Sequence, residues 1–288
     1  MIFKKIFGIT AVSVMTAGLL AGCGSNTTSS SSADTGSSKV HTIKVAYELG
    51  SKPTTYQDDA GKPAGYDIEM MKKIDKLLPD YQFQYIGTSS DDLLIGVEQG
   101  KYDVGVKGAF YTDERAQKFL FPKEFMGLNK AGLVLKKENA NIKSLEDFAT
   151  ANLSLAPIAT NNGQYAVIQE YNDAHPDKKL KLKASDTFAI DIVQWVNEGR
   201  ADGGVMMEGA FNSQVVDKGS PYHNLKNDVV FNGFAVIKTW PLFNKKEQDF
   251  ANAYDKAAKK LKDDGTAAKL IKEYTGSNLF EFSDQIKR

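Results

Sequence analysis

The sequence predicts an α/β protein of two similar lobes joined by two crossover strands, and three observations predict it. Strand-like and helix-like segments alternate from residue 41 to residue 106, which implies a parallel sheet flanked by helices. The same alternation restarts at residue 153 and runs to residue 206. Two extended apolar stretches, 131–135 and 231–237, stand where the chain has to pass from the first lobe to the second and back.

The elements follow in order. Residues 41–47 alternate polar and apolar with β-branched side chains and read as a first strand. Ile68, Met71, Ile74 or Asp75, and Leu78 fall near helical spacing, so 67–78 reads as an amphipathic helix stopped by Pro79. Residues 81–86 alternate again as a strand. Ser89 or Ser90 can cap a helix that carries Leu93, Leu94 and Val97 and ends at Gly100, and 102–106 is a short apolar strand. In the second lobe, 153–158, 180–183 and 202–206 read as strands, and 164–174 and 186–197 as helices. The tail, 245–274, is helical and returns to the first lobe. This gives a first lobe of 40–132 plus 234–288 and a second lobe of 133–233.

The N-terminal segment reads differently. Lys4 and Lys5 precede an apolar run, 6–20, that is short for a membrane span and ends in Leu20-Ala21-Gly22-Cys23, the layout of a cleaved secretory signal over 1–22. That ending resembles the lipobox of bacterial lipoproteins, in which the cysteine thiol takes a diacylglycerol and the new amino terminus is acylated, palmitate being a typical chain. The other readings of Cys23 are an ordinary signal peptide that contains a cysteine, or a small buried thiol. Residues 24–38 are mostly Ser, Thr and Gly, so 23–39 behaves as a tether without a core of its own.

Composition narrows the function. Cys23 is the single cysteine, so neither disulfides nor cysteine metal sites support the fold. Charge is balanced, 36 basic residues against 36 acidic, and no broad basic footprint points to nucleic acid. His41, His175 and His223 lack the spacing of a metal site. Gly203-Gly204 lacks the third glycine and the helix start of a phosphate-binding loop and reads as a packing pair. No cofactor and no metal are expected.

Among the 36 basic residues only Arg115, Arg200 and Arg288 are arginine. Thr112-Asp113-Glu114-Arg115 follows the 102–106 strand and the turn Lys107-Gly108-Ala109, and Thr112 suits a helix cap. Asp113 and Glu114 complement the positive helix end, whereas Arg115 is opposed by it. Two readings fit: a guanidinium fork beside free N–H groups that binds a carboxylate, or a surface arginine paired with Asp113 or a neighbour.

The chain is similar to the polar amino-acid-binding branch of bacterial solute-binding proteins, family 3, over about residues 41–275. The resemblance rests on Gly65-Tyr66-Asp67-Ile68, Gln99-Gly100-Lys101-Tyr102-Asp103-Val104, Thr112-Asp113-Glu114-Arg115, Ile142-Lys143-Ser144-Leu145-Glu146-Asp147 and Glu198-Gly199-Arg200-Ala201-Asp202, in that order. It implies a type II periplasmic-binding-protein-like fold in which each lobe is a mostly parallel sheet flanked by helices and two hinge strands cross between them. It implies further that Arg115 grips the ligand α-carboxylate, that main-chain groups near Gly108 and Phe110 hold the amino-acid backbone, and that the turn Thr160-Asn161-Asn162-Gly163, with Gln164, presents N–H groups from the second lobe. Glu208 is the acid nearest the position that takes the ligand ammonium, although strict spacing from Asp202 lands on Met207. Glu48 stands at the first-strand carboxylate position, where a ligand contact and a solvated strand end are both open. Two departures reshape the pocket: Phe110 replaces a usual hydroxyl residue and Ser90 a usual aromatic. Phe110 and Tyr111 either substitute for the lost aromatic platform or pack beneath the cleft.

The resemblance implies a monomeric, lipid-anchored receptor on the extracytoplasmic face of the cell membrane, of the Gram-positive surface type, that captures an amino acid such as cystine or glutamine. It would deliver that ligand to an ABC permease and its ATPase, with no covalent step. Prephenate or arogenate dehydratase-like enzymes, and ligand-sensing or adhesive surface proteins, are the alternatives on the same architecture.

Overall fold

A computed structural model describes residues 40–160, 162–185 and 190–287. The signal segment, Cys23, the tether, Asn161 and the start of the 186–197 helix expected from the sequence lie outside the described residues. In chain order the elements are β1 (His41–Glu48), a hairpin of β2 (Tyr56–Gln57) and β3 (Pro63–Ala64), α1 (Tyr66–Asp75), β4 (Tyr81–Thr88), α2 (Ser90–Glu98), β5 (Val104–Ala109) and α3 (Asp113–Lys118). The chain continues through β6 (Gly127–Lys136), α4 (Leu145–Thr150), β7 (Ile158–Ala159), α5 (Gly163–Ala174), β8 (Ala184–Ser185), α6 (Ile192–Asn197), β9 (Gly203–Met207) and α7 (Glu208–Phe211). It closes with β10 (Val229–Phe243), α8 (Gln248–Asp263), α9 (Thr266–Thr275) and β11 (Ile286–Lys287).

The main sheet runs β4-β1-β5-β10-β6-β9, with β11 beside β10. β1 pairs in parallel with both β4 and β5. The long strands β6 and β10 pair antiparallel to one another from Val229 opposite Lys136 to Thr239 opposite Gly127. Apolar packing divides along these two strands. Leu128 of β6 and Val236 and Phe243 of β10 join a core with Val45, Ile68, Met71, Phe250 and Ile271. Leu133 and Leu135 of β6 join a second core with Phe148, Leu155, Ile168 and Leu180. These two clusters lie toward opposite ends of the shared strands, and a smaller one, Ala131, Met207, Ala235 and Ile237 with Phe110 packed on it, lies between them. The architecture is a mixed α/β sheet flanked by helices.

Local signals set most element ends. Ser89 Oγ accepts from Asp92 N at 3.1 Å and starts α2. Ser144 and Asp147 form a capping box at α4. Between α8 and α9, Gly265 adopts φ +78° and interrupts the helical tail. The second lobe departs from expectation: Leu155 makes only a bridge to Gly203, and the partner of Ile158–Ala159 is 184–185 rather than 180–183. The reason is local. Leu180 is buried, but its N–H and C=O are satisfied by the Asn172 side-chain amide at 2.7 and 3.0 Å, so it needs no strand partner. Gly203 and Gly204 pack as expected: a Cβ on the first would lie 2.6 Å from Phe148, and on the second 2.4 Å from Ile192.

Candidate functional site

Three parallel strands deliver their carboxyl ends to one place. Glu48 lies opposite Thr88 in the β1–β4 register, and Tyr47 lies opposite Val106 in the β1–β5 register. Ser90, Glu48 and Lys107 therefore stand in a row at the carboxyl edge, where open α/β sheets bind ligands. Lys107 Nζ is 3.2 Å from Glu48 Oε2 and donates to Ser90 Oγ. Its side chain is 15% exposed and that of Glu48 24%. Burial pulls the Lys107 pKa down from its ordinary value, Glu48 opposes this and the neighbouring Arg115 adds to it.

Arg115 reaches the same row from the next turn. Thr112 caps α3, its Oγ1 accepting from Arg115 N at 3.2 Å. The guanidinium Nη1 donates to the Phe110 carbonyl at 2.9 Å. Burial lowers the pKa of this group, with Glu114 and Glu48 opposing, yet an arginine stays charged under such shifts. Among the described residues it makes no ion pair, so the surface pairing with Asp113 that the sequence left open is not formed.

The loop below Arg115 is anchored by a buried acid. Gly108 has φ +60°, a left-handed conformation that a side chain would strain, and its N–H donates to Asp67 Oδ2 at 2.8 Å. Asp67 is 2% exposed, and its other oxygen has no hydrogen-bond partner among the described residues. Desolvation raises its pKa to about 7, the Gly108 hydrogen bond working in the opposite direction.

The facing wall comes from α5, β9 and α7. Asn162 caps α5, its Oδ1 accepting from Gln164 N at 3.1 Å, and Gln164 Oε1 is buried without a hydrogen-bond partner among the described residues. Glu48, Lys107, Gly108, Phe110 and Arg115 line a cavity of about 260 Å³ together with Asn162, Gln164, Met207, Gly209 and Ala210. A second cavity, about 640 Å³, lies between α2 and α3 and shares Glu48, Lys107 and Arg115 with the first. The two walls touch at glycines. A Cβ on Gly163 would fall 2.3 Å from the Phe110 ring, and one on Gly209 2.5 Å from Pro53 Cδ.

Of the residues expected from the sequence, Arg115, Gly108, Phe110, Glu48, Asn162 and Gln164 line the smaller cavity, Ser90 lines the larger, and Gly163 packs on Phe110. Thr160 is exposed and lines neither. Glu208 also lies outside both: its carboxylate is 3.1 Å from Lys130 Nζ, and the cavity is lined by its neighbours Met207 and Gly209. Tyr111 packs in a T-shaped arrangement against Phe121 and Trp240. Lys107 is the residue that sequence reasoning passed over. Its signal was present, a lysine near the carboxyl end of a predicted parallel strand, the edge at which such sheets bind ligands.

A cleft in an α/β fold, lined from both sides and holding an arginine that makes no ion pair among the described residues, is the kind of site found in solute-binding proteins. The chain matches the model of the bacterial extracellular solute-binding proteins, family 3, over residues 43–277, and belongs to that family. The L-cystine-binding protein TcyK of Bacillus subtilis is 28% identical over 275 residues, covering 96% of this chain and 97% of TcyK. The L-cystine-binding protein TcyJ of the same organism is 28% identical over 223 residues, covering 77% of this chain and 80% of TcyJ. Among solved structures, the probable amino-acid ABC transporter extracellular-binding protein ytmK of Bacillus subtilis superposes with a TM-score of 0.67 at 24% identity, covering 83% of this chain and 99% of that one.

Proposed function

We propose that the protein is the receptor of an amino-acid ABC importer, acylated at Cys23, that closes its two lobes on an extracytoplasmic amino acid and presents the closed form to a permease. Cystine-binding relatives and the Asn162–Gln164 wall favour cystine or another polar amino acid. Arg115 holds the α-carboxylate from the first lobe. The N-terminal turn of α5 faces the same group from the second lobe, and Gln164 Oε1, without a hydrogen-bond partner among the described residues, supplies an acceptor for the ammonium. Contacts from both lobes are simultaneous only in the closed form, so ligand shifts the population toward it. No bond is made or broken in this cycle. The receptor works as a monomer tethered by residues 23–39, its first lobe being 40–132 plus 234–288 and its second 133–233.

The single observation that carries this reading is the desolvated Arg115 guanidinium, which lines a cavity between the lobes and makes no ion pair among the described residues. A half-buried cation without an ion-pair partner is costly, and a ligand carboxylate relieves it. Arg115→Ala should weaken amino-acid binding by about 3–5 kcal/mol. Isothermal titration calorimetry against the amino acids and cystine tests this, and an unchanged affinity in the variant refutes the assignment. A thermal-shift screen of the same compounds identifies the ligand, since binding to the native state alone raises its stability.

A further inference from the structure

We propose that the C-terminal tail, 279–287, clasps the crossing strands and holds the second-lobe wall of the cleft in place, with Phe282 as a positioning residue that acts through Lys130 and Glu208. The inference rests on the two-lobed amino-acid reading above. It adds to that reading a segment beyond the 43–277 span matched to the family.

Topology makes room for the tail. β6 takes one edge of β10, whereas β5 takes the other edge only from Trp240 onward. The part of β10 before Trp240 therefore offers an open row of backbone groups. β11 occupies it, Ile286 opposite Val236 and Lys287 opposite Ile237. At the same two positions Lys130 and Asn129 of β6 pair from the other side, so a crossing of two strands becomes one of three. The tail is fastened before it arrives there. Leu279 is 1% exposed in the core around Phe250, and the Phe280 ring stacks on Phe125 with centroids 6.0 Å apart.

From the tail a line of contacts leads to the cleft. Lys130 Nζ lies 5.8 Å from the centroid of the Phe282 ring, within reach of a cation–π contact, and 3.1 Å from Glu208 Oε1. The lysine stem crosses β10 at Gly233, where a Cβ would collide with Lys130 Cε. Glu208 opens α7, and its neighbours Met207, Gly209 and Ala210 line the smaller cavity. By the division proposed above, Lys130 belongs to the first lobe, and Gly233 and Glu208 belong to the second. The ion pair thus spans the lobe boundary in the form in which Phe110 meets Gly163. Its side chains are 28% and 23% exposed. An exposed pair gains little because two long side chains have to be ordered to make it. Here Phe282 and Gly233 order the lysine in advance. Without the ring, the form with the walls together loses support, and ligand has to offset the difference.

Calorimetry and stopped-flow fluorescence, with cystine and glutamine as probes, test this on wild type, a chain ending at Phe280, Phe282→Ala, Glu208→Gln and the double variant. Ending at Phe280 keeps Leu279 and the Phe125 stack. The shortened chain should bind the probe about tenfold more weakly, and each single variant about threefold. The loss should fall on dissociation and leave association within about twofold. The double variant should lose about fivefold or less, because both residues act along one line. Unchanged affinity in the shortened chain, or a double variant showing the full product of the single effects, overturns the clasp. Where the shortened chain unfolds early in urea, the point variants decide. Small-angle scattering without ligand separates this proposal from the reading beneath it. If no probe binds wild type but the shortened chain has the larger radius of gyration, the clasp stands and the amino-acid reading falls. If wild type binds and the variants match it, only the clasp falls, and an unchanged radius with no binding overturns both.

Discussion

The first-lobe wall of the cleft presents Arg115, Lys107 and Glu48, whereas the second-lobe wall presents the amides of Asn162 and Gln164, Met207, and two glycines at the points of contact. The charged wall is rigidly held. Its loop is pinned by Asp67, its arginine by the Phe110 carbonyl, and its lysine by Glu48 and Ser90. The neutral wall carries little charge and fits by shape, Gly163 receiving the Phe110 ring and Gly209 receiving Pro53. The difference teaches a division of labour. In the proposed function, the first lobe would read the ligand's charge and the second would report whether the lobes have come together.

The largest expected effect tests the rigidity of the charged wall through Asp67. Its folded pKa of about 7 lies above the usual carboxylate value of 3.8, so the native state binds its proton more tightly than the unfolded chain does. The stability contributed by this group is fully present below about pH 4 and is lost as pH rises through about 7. Asp67→Asn keeps an acceptor for the Gly108 N–H and removes the titration. The stability of wild type relative to this variant should therefore fall, on the order of 3 kcal/mol, between about pH 4 and 8. Denaturant titrations across that range check it, and a flat difference profile would show that the acid is not held as described.

Next in size is the fit of the neutral wall. Gly163→Val forces the Phe110 ring away and should cost about 2 kcal/mol of binding, because overpacking a close contact strains both partners. Phe110→Ala in the same chain should restore most of it, since the two residues share one contact and their effects cannot add. Small-angle scattering with saturating ligand should show the single variant more open than the double. Additive losses would mean that the walls do not meet at this pair.

The smallest effect compares the two helix caps. Thr112→Ala and Asn162→Ala each remove a side chain that accepts a helix N–H and should each lower stability by about 1 kcal/mol. The comparison predicts an asymmetry in binding. Loss of the Thr112 cap frees the helix that carries Arg115 and should weaken carboxylate recognition, while loss of the Asn162 cap should mainly alter closure. Thermal denaturation gives the first quantity and calorimetry the second.

Much of this was legible in the residues themselves. The strand and helix alternation of 41–106, the Ser89 or Ser90 start of α2, the Gly100 stop and the Thr112 cap depend on neighbours a few positions away, and those neighbours are present in the sequence. Where long-range partners decide, the reading slipped. The 180–183 segment looked like a strand because Leu180 and Leu182 alternate with lysines, but Asn172, eight residues earlier, had already satisfied the Leu180 backbone. Tyr111 read as a possible platform until Phe121 and Trp240 claimed its ring. Glu208 read as the acid nearest the ammonium position until Lys130, 78 residues earlier, met its carboxylate.

By itself the sequence determined the class of fold, the repetition that makes two lobes, and the importance of one arginine in a chain whose other cations are nearly all lysine, because periodicity, capping and scarcity are properties of local order. Only the tertiary structure decided that Lys107, 59 positions further along the chain, stands beside Glu48, that Asp67 holds Gly108 from below, and that the α2–α3 cavity opens past Arg115. Those facts depend on the register of parallel strands, which brings distant segments to one edge of a sheet. Spacing along a chain carries no record of that register until the sheet has formed.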